Sequence, residues 1–232
     1  MQEIAENLAR IRERIAAAAA RSGRKAEEIL LVAVSKGVEP ERIEQAIGAG
    51  VTDLGENYLQ EAIGKKAQIG SKARWHFIGH LQRNKVNAAL EEFSLIQSVD
   101  SLKLAQEISR RAAAAGKTAQ ILLQVNTSSE ASKFGVAPEE TRRLVEEIGI
   151  LPGLALQGLM TIGRFEPEPE AARGEFRLLA QIYREISATN LTNLTMRRLS
   201  MGMTHDFEVA IEEGANLVRI GTGIFGPRRE RQ

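Results

Sequence analysis

The chain has 232 residues, 43% of them hydrophobic, with 31 Lys and Arg against 30 Asp and Glu, three histidines and no cysteine. A net charge of +1 excludes the broad basic field of a nucleic-acid or acidic-membrane binder, so the expected partner is a small molecule. The missing cysteines exclude disulfides, zinc–thiolate centres and cysteine nucleophiles and suit a reducing cytoplasm, and so few histidines argue against a metal site.

The length is that of one domain and close to the roughly 250 residues of a typical (β/α)8 barrel. No stretch approaches the ~18 to 20 apolar residues of a membrane span. The mixed charges of Met1 to Arg10 lack the basic-then-apolar order of a signal peptide, so a soluble cytoplasmic protein is expected.

In chain order, Ile4, Leu8, Ile11 and Ile15 recur at helical spacing and predict an amphipathic helix over 2–21, packed outside whatever follows. Leu30 to Val34 is an apolar, β-branched run that ends in Ser35-Lys36-Gly37, the pattern of a buried parallel strand. Pro40 opens a helix that Gly48 and Gly50 stop. Strands are then predicted over 51–57, 74–79, 95–99, 119–126, 154–162, 198–202 and 216–221. Helices are predicted between them over 58–69, 84–92, 101–115, 138–148, 171–188 and 204–213.

Eight strands alternating with helices favour an α/β fold of the single (β/α)8, TIM-type barrel kind, with an extra N-terminal helix, over an open doubly wound sheet. An open sheet would offer a glycine-rich first turn for a dinucleotide, whereas the first turn here is Ser35-Lys36-Gly37-Val38. The chain stops soon after the eighth strand, and a single domain over 1–232 is expected.

Lys36 falls at the C-terminal rim of the first strand, where an amine can meet a carbonyl compound away from bulk water. The plain alternative is a strand-end lysine that extends to solvent. Loops after strands seven and eight commonly bind phosphate in such barrels. Here they read Ser200-Met201-Gly202-Met203-Thr204 and Gly221-Thr222-Gly223, each an ordinary turn sequence alone but more specific together. Arg219 lies on the same strand face as Gly221 and must find an acceptor. That acceptor is either a carboxylate such as Asp53, Glu56 or Glu208, or a ligand ring nitrogen or anionic oxygen.

A rim lysine, a phosphate cradle and a strand-borne arginine together suggest a phosphorylated aldehyde bound as a Schiff base, and pyridoxal phosphate meets all three demands. Its pyridine nitrogen, facing an arginine that keeps its proton, would stay largely unprotonated and be a poor electron sink, against transaminase-type chemistry. The arrangement requires strands one and eight to end side by side.

Several motifs closely resemble the pyridoxal phosphate homeostasis protein family. They are Val34-Ser35-Lys36, Gly55-Glu56-Asn57-Tyr58, the long run Trp75 to Lys85, and Lys133-Phe134-Gly135. They continue with Gly158-Leu159-Met160, Leu199 to Met203 with Asp206-Phe207, and Arg219 to Gly226. The resemblance runs in order from about residue 30 to 228. It implies a barrel like the N-terminal domain of alanine racemases, with Lys36 as the Schiff-base lysine and Arg219 at the pyridine nitrogen. It implies phosphate contacts from Ser200, Gly202, Gly221 and Thr222, counts Met201 among the cofactor-binding positions, and sets Asn57 and Met160 near the cofactor. It further implies a protein that binds and releases pyridoxal phosphate in vitamin B6 and amino-acid homeostasis, without established turnover, and serves PLP-dependent apo-enzymes as partners.

Two enzyme alternatives stand beside this. A racemase needs an acid/base on each face of the ligand; the family relative with that activity takes its second, a tyrosine, from a C-terminal β domain that this chain lacks. A Schiff-base aldolase for a sugar phosphate would want a second lysine or a carboxylate beside the first, and no other strand ends in a lysine. His80 is expected near the mouth as a hydrogen-bonded structural residue, His76 within its strand, Tyr183 in a helix core, and Arg83-Asn84-Lys85 on a solvated face. The tail with Arg228, Arg229 and Arg231 is read as solvating. With no apolar surface stripe, a monomer is expected.

Overall fold

A computed structural model describes residues 2–128, 130, 133–164, 167–189 and 196–227. The tail arginines Arg228, Arg229 and Arg231 lie outside the described residues. Eight parallel strands, β1 (Leu30–Val34), β2 (Asp53–Glu56), β3 (Arg74–Phe77), β4 (Leu95–Val99), β5 (Ala119–Gln124), β6 (Leu154–Met160), β7 (Arg198–Met203) and β8 (Leu217–Ile220), close into a barrel in sequence order. The expected (β/α)8 architecture is therefore present. Closure is made by β1 against β8, with Val32 opposite Arg219 and Ala33 opposite Ile220.

Alternation along each strand divides the apolar side chains into two populations. Val32, Leu95, Leu122, Met160 and Leu217 cluster with Leu30 inside the barrel. Leu54, Trp75, Phe77, Ile121, Leu123, Leu199, Met201, Val218 and Ile220 join the larger outer core beneath the helices. These helices are α1 (Gln2–Arg21), α2 (Pro40–Gly48), α3 (Leu59–Ile69), α4 (Val86–Glu92), α5 (Leu102–Ala114), α6 (Thr141–Gly149), α7 (Arg173–Ser187), α8 (Phe207–Glu212) and the short α9 (Thr222–Phe225).

Helix α1 buries Ile4, Leu8, Ile11, Ile15, Ala18 and Ala19, the face its spacing predicts. It packs against α2, α8 and α9, on the outside of the seam where the barrel closes. Helix α8 begins at Phe207 rather than at Thr204, and the cause is local. Gly202 turns with φ +89°, and the Asp206 carboxylate accepts from the Met203 N–H at 2.6 Å, which holds a turn ahead of the helix. A side chain at Gly202 would put its Cβ 2.8 Å from the Phe207 Cα, so β7 and α8 approach this closely only with glycine there. Gly221-Thr222-Gly223, a turn-and-cap sequence after the eighth strand, opens the short α9, whose turn closes from the Phe225 N–H to the Gly221 carbonyl.

If α1 braces the seam, Leu8→Ala removes a fully buried side chain and costs about 2–5 kcal/mol. Urea unfolding is expected to show a lower midpoint at unchanged slope; an unchanged midpoint would show that the helix is dispensable to the barrel.

Candidate functional site

Lys36 stands two residues beyond β1, half-buried at the C-terminal mouth, with its ammonium 5.2 Å from the centre of the Tyr58 ring, itself 57% exposed. The turn that carries it is fixed from the outer layer. Lys65 of α3, almost wholly buried, donates to the Ser35 carbonyl at 2.5 Å and to carboxylate oxygens of Glu56 and Glu61, both at 2.7 Å. Glu61 accepts from the Gly37 N–H at 2.5 Å, and the Ser35 hydroxyl donates to Glu56 at 2.8 Å. Both neighbours of Lys36 are thus tied to one ionic cluster. The spacing of Glu61 and Lys65 was its visible sign in the sequence.

Burial raises the Glu56 carboxyl above its ordinary range while Lys65 and Ser35 oppose the shift. One of its oxygens, Oε2, is buried with no hydrogen-bond partner among the described residues.

Arg219 is 3% exposed inside the barrel. Its guanidinium donates to the Ser200 hydroxyl at 2.5 Å and to the Thr161 carbonyl at 2.7 Å. Desolvation draws it down to about 10, with the charge of Asp206 opposing, so it stays protonated at neutral pH. None of the three carboxylates considered from the sequence is its partner. Asp53 pairs with Arg74 and His76, Glu56 with Lys65, and Glu208 with Arg14.

At the anion loops the hydroxyl nearest the glycine N–H groups is not the one the sequence singles out. Ser200, expected at a phosphate, has no exposed surface: it accepts from Arg219 and donates to Gln97, because it points into the barrel as strand alternation requires. The loop hydroxyl is that of Thr204, which accepts from the N–H groups of Gly221 and Gly223 at 3.3 and 3.2 Å. Sequence reasoning missed it, although it lies within the motif already singled out. Met201 turns its side chain into the outer core, so only its backbone faces the mouth region. Gly221 packs on Val34, which brings the β8 loop beside the strand that leads to Lys36; Thr222 is exposed beside it.

Met160 lies in the inner cluster. Asn57 is half-buried, and the carbonyl of its loop would lie 2.0 Å from a Cβ at Gly79, so the loops after β2 and β3 meet only over a glycine. His80 pairs with Asp100 at 3.2 Å and stacks on Phe134 with ring centres 4.0 Å apart, at the surface. Among the described residues no cluster of three or more His, Asp or Glu would hold a metal, and no helix is long and apolar enough to cross a membrane.

These features define a (β/α)8 barrel with a lysine at the rim of its first strand and a buried arginine in its last. Comparison with known proteins agrees with that class. The chain belongs to the alanine racemase N-terminal domain family, which it matches over residues 6–229, and within it to the pyridoxal phosphate homeostasis proteins. It is 45% identical to the pyridoxal phosphate homeostasis protein of Pseudomonas aeruginosa, over 98% of this chain and 97% of that one. Among solved structures it is similar to an unknown protein from Bifidobacterium adolescentis, with TM-score 0.91, 40% identity and coverage of 97% and 95% of the two chains. It is also similar to PipY of Synechococcus elongatus with PLP bound, with TM-score 0.83, 32% identity and coverage of 96% and 100%.

The Glu56–Lys65 pair makes a pH-dependent prediction. Lys65→Met leaves the Glu56 carboxylate buried without its cation and is expected to cost about 3–5 kcal/mol near pH 8. Because the folded-state pKa of Glu56 is raised, the native state binds its proton more tightly than the unfolded chain does, and stability is recovered as pH falls. Urea unfolding should therefore show a smaller loss near pH 5 than near pH 8. A loss that grows on acidification would mean that Lys65 does not compensate Glu56.

Proposed function

We propose that this chain binds pyridoxal phosphate through Lys36 and acts in intracellular vitamin B6 and amino-acid homeostasis by holding and releasing it, without catalytic turnover. The observation that carries the reading is Arg219: an interior cation that Asp53, Glu56 and Glu208 all leave to neutral acceptors, in the same barrel whose first strand ends in a half-buried lysine. That pairing suits a ligand with a basic ring nitrogen, a carbonyl carbon and an anion.

The residues present fit such a group. Arg219 offers donors to the ring nitrogen, and Met160 and Asn57 border the ring. The N–H groups of Gly221 and Gly223, engaged by long bonds to the Thr204 hydroxyl, lie beside Thr222 and offer donors to the phosphate, with the backbone at Met201 and Gly202 at the end of β7 as the other side of the cradle. The Ser200 hydroxyl acts on the phosphate side only through Arg219. The chemistry is a condensation: the Lys36 ε-amine adds to the aldehyde carbon, a carbon–nitrogen double bond forms and one water leaves. The names of the relatives support this reading, since they are homeostasis proteins.

We place the protein in the cytoplasm as a monomer that supplies PLP-dependent apo-enzymes, a reading its balanced charge supports.

Purified protein mixed with pyridoxal phosphate and treated with borohydride should carry the added mass on the peptide containing Lys36. Lys36→Ala should lose that mass and the visible absorption while keeping its circular dichroism and unfolding midpoint. Wild type that cannot be loaded overturns the reading; amino-acid racemisation that depends on Lys36 would replace it with the racemase alternative.

A further inference from the structure

Ser200, the acceptor of Arg219, is one link in a longer series. Its hydroxyl is 2.7 Å from Gln97 Oε1, Gln97 Nε2 is 2.9 Å from His76 Nδ1, and His76 Nε2 is 2.9 Å from Asp53 Oδ1. Asp53 is held by Arg74 at 2.8 and 2.7 Å and by the Thr52 hydroxyl at 2.7 Å. Ser200, Gln97, His76 and Asp53 are each at most 3% exposed and come from four different strands. Asp53 and Arg74 open β2 and β3, so the series crosses the interior from the N-terminal end of the barrel to the arginine beneath its mouth.

The direction of every bond follows from one end. Arginine can only donate, so Ser200 accepts and its single proton must go to Gln97 Oε1. Gln97 then presents its NH2 to His76, whose Nδ1 must carry a lone pair. The imidazole proton is left on Nε2, where it faces Asp53. That carboxylate is held well below the ordinary range: its hydrogen bonds to His76, Arg74 and Thr52 outweigh a desolvation cost that acts the other way. Each group donates toward the carboxylate, and bonds aligned in one sense polarise one another.

We propose that His76 and Gln97 are positioning residues for Arg219: a one-way relay anchored on Asp53 fixes the rotation of the guanidinium and strengthens its Ser200 acceptor, and so sets the hydrogen bond that Arg219 offers to the ring nitrogen of the ligand. The ligand half of this inference rests on the pyridoxal phosphate reading above. The relay half is a property of the ligand-free protein.

The test uses both forms. In ligand-free wild type at neutral pH, 15N NMR of the imidazoles is expected to show His76 neutral with its proton on Nε2; a proton on Nδ1, or on both nitrogens, overturns the relay whatever the protein binds. Gln97→Met, close in volume, cuts the series in the middle. Hydrogen exchange of the Arg219 guanidinium should then accelerate about three- to tenfold, the scale of one lost hydrogen bond.

With 15N-labelled pyridoxal phosphate bound, the same variant should shift the pyridine nitrogen resonance while the borohydride-trapped mass on Lys36 persists. Unchanged exchange and an unchanged resonance would overturn the proposal. If Gln97→Met does not fold, Gln97→Glu decides: a carboxylate there accepts from Ser200 and from His76, so both ring nitrogens should become protonated, and a His76 that keeps a single proton contradicts the assigned direction. Wild type that cannot be loaded refutes the ligand assignment alone, since the tautomer and exchange measurements do not use the ligand.

Discussion

A guanidinium inside a barrel is the constraint on which the rest of this structure depends. Barrel interiors are normally filled with branched apolar side chains, and an unpaired buried cation costs several kcal/mol even after relaxation. The chain meets that cost by dividing the interior. One part holds Leu30, Val32, Leu95, Leu122, Met160 and Leu217; the other holds Arg219, Ser200, Gln97, His76 and Asp53, bonded to one another. The direct acceptors of Arg219 are a hydroxyl and a carbonyl, both neutral, with the charge of Asp206 acting only through space. Among the described residues the charge therefore has no direct ion pair, being offset through space by Asp206, and it favours an anionic or basic ligand group over a cation.

The rim lysine is held by the opposite strategy. Among the described residues Lys36 makes no ion pair of its own; its neighbours Ser35 and Gly37 do the holding, through Lys65, Glu56 and Glu61 in the outer layer. The first turn is thus pinned from outside the barrel, while the ε-amine of Lys36 stands over the ring of Tyr58. The two lysines differ in their partners: Lys65 is saturated with acceptors, whereas Lys36, among the described residues, meets the face of Tyr58. An amine pinned by two carboxylates cannot attack a carbonyl carbon, whereas one over an aromatic face can.

The fold was legible because parallel strands buried on both faces write themselves as apolar runs, and eight such runs alternate with helical spacing. Lys36 and Arg219 were legible for the same reason, as charged residues interrupting or ending those runs. The relay was not. Its members lie far apart in the chain, and the local signs are polar side chains inside apolar strands, Gln97 within Leu95-Ile96-Gln97-Ser98-Val99 and His76 between Trp75 and Phe77, neither of which names its partner. The sequence also placed Ser200 among the anion-binding residues, because a hydroxyl before a glycine suits that use; only the facing of β7 shows that this hydroxyl belongs to the arginine and that Thr204 belongs to the loops.

The same commitments bear on whether the site holds a ligand or turns it over. Proton transfer on both faces of a bound ring needs two groups free to change protonation state within reach. His76 has both ring nitrogens engaged deep in the relay, and His80 is drawn outward onto Asp100 and Phe134. His205 turns to the Pro167 carbonyl, and Tyr183 packs against the outer core in α7. Tyr58 is the group that remains beside Lys36, largely exposed and on the same side as the amine it covers. Among the described residues the three histidines thus have partners of their own, and the phenol of Tyr58 is the titratable group in contact with the Lys36 amine.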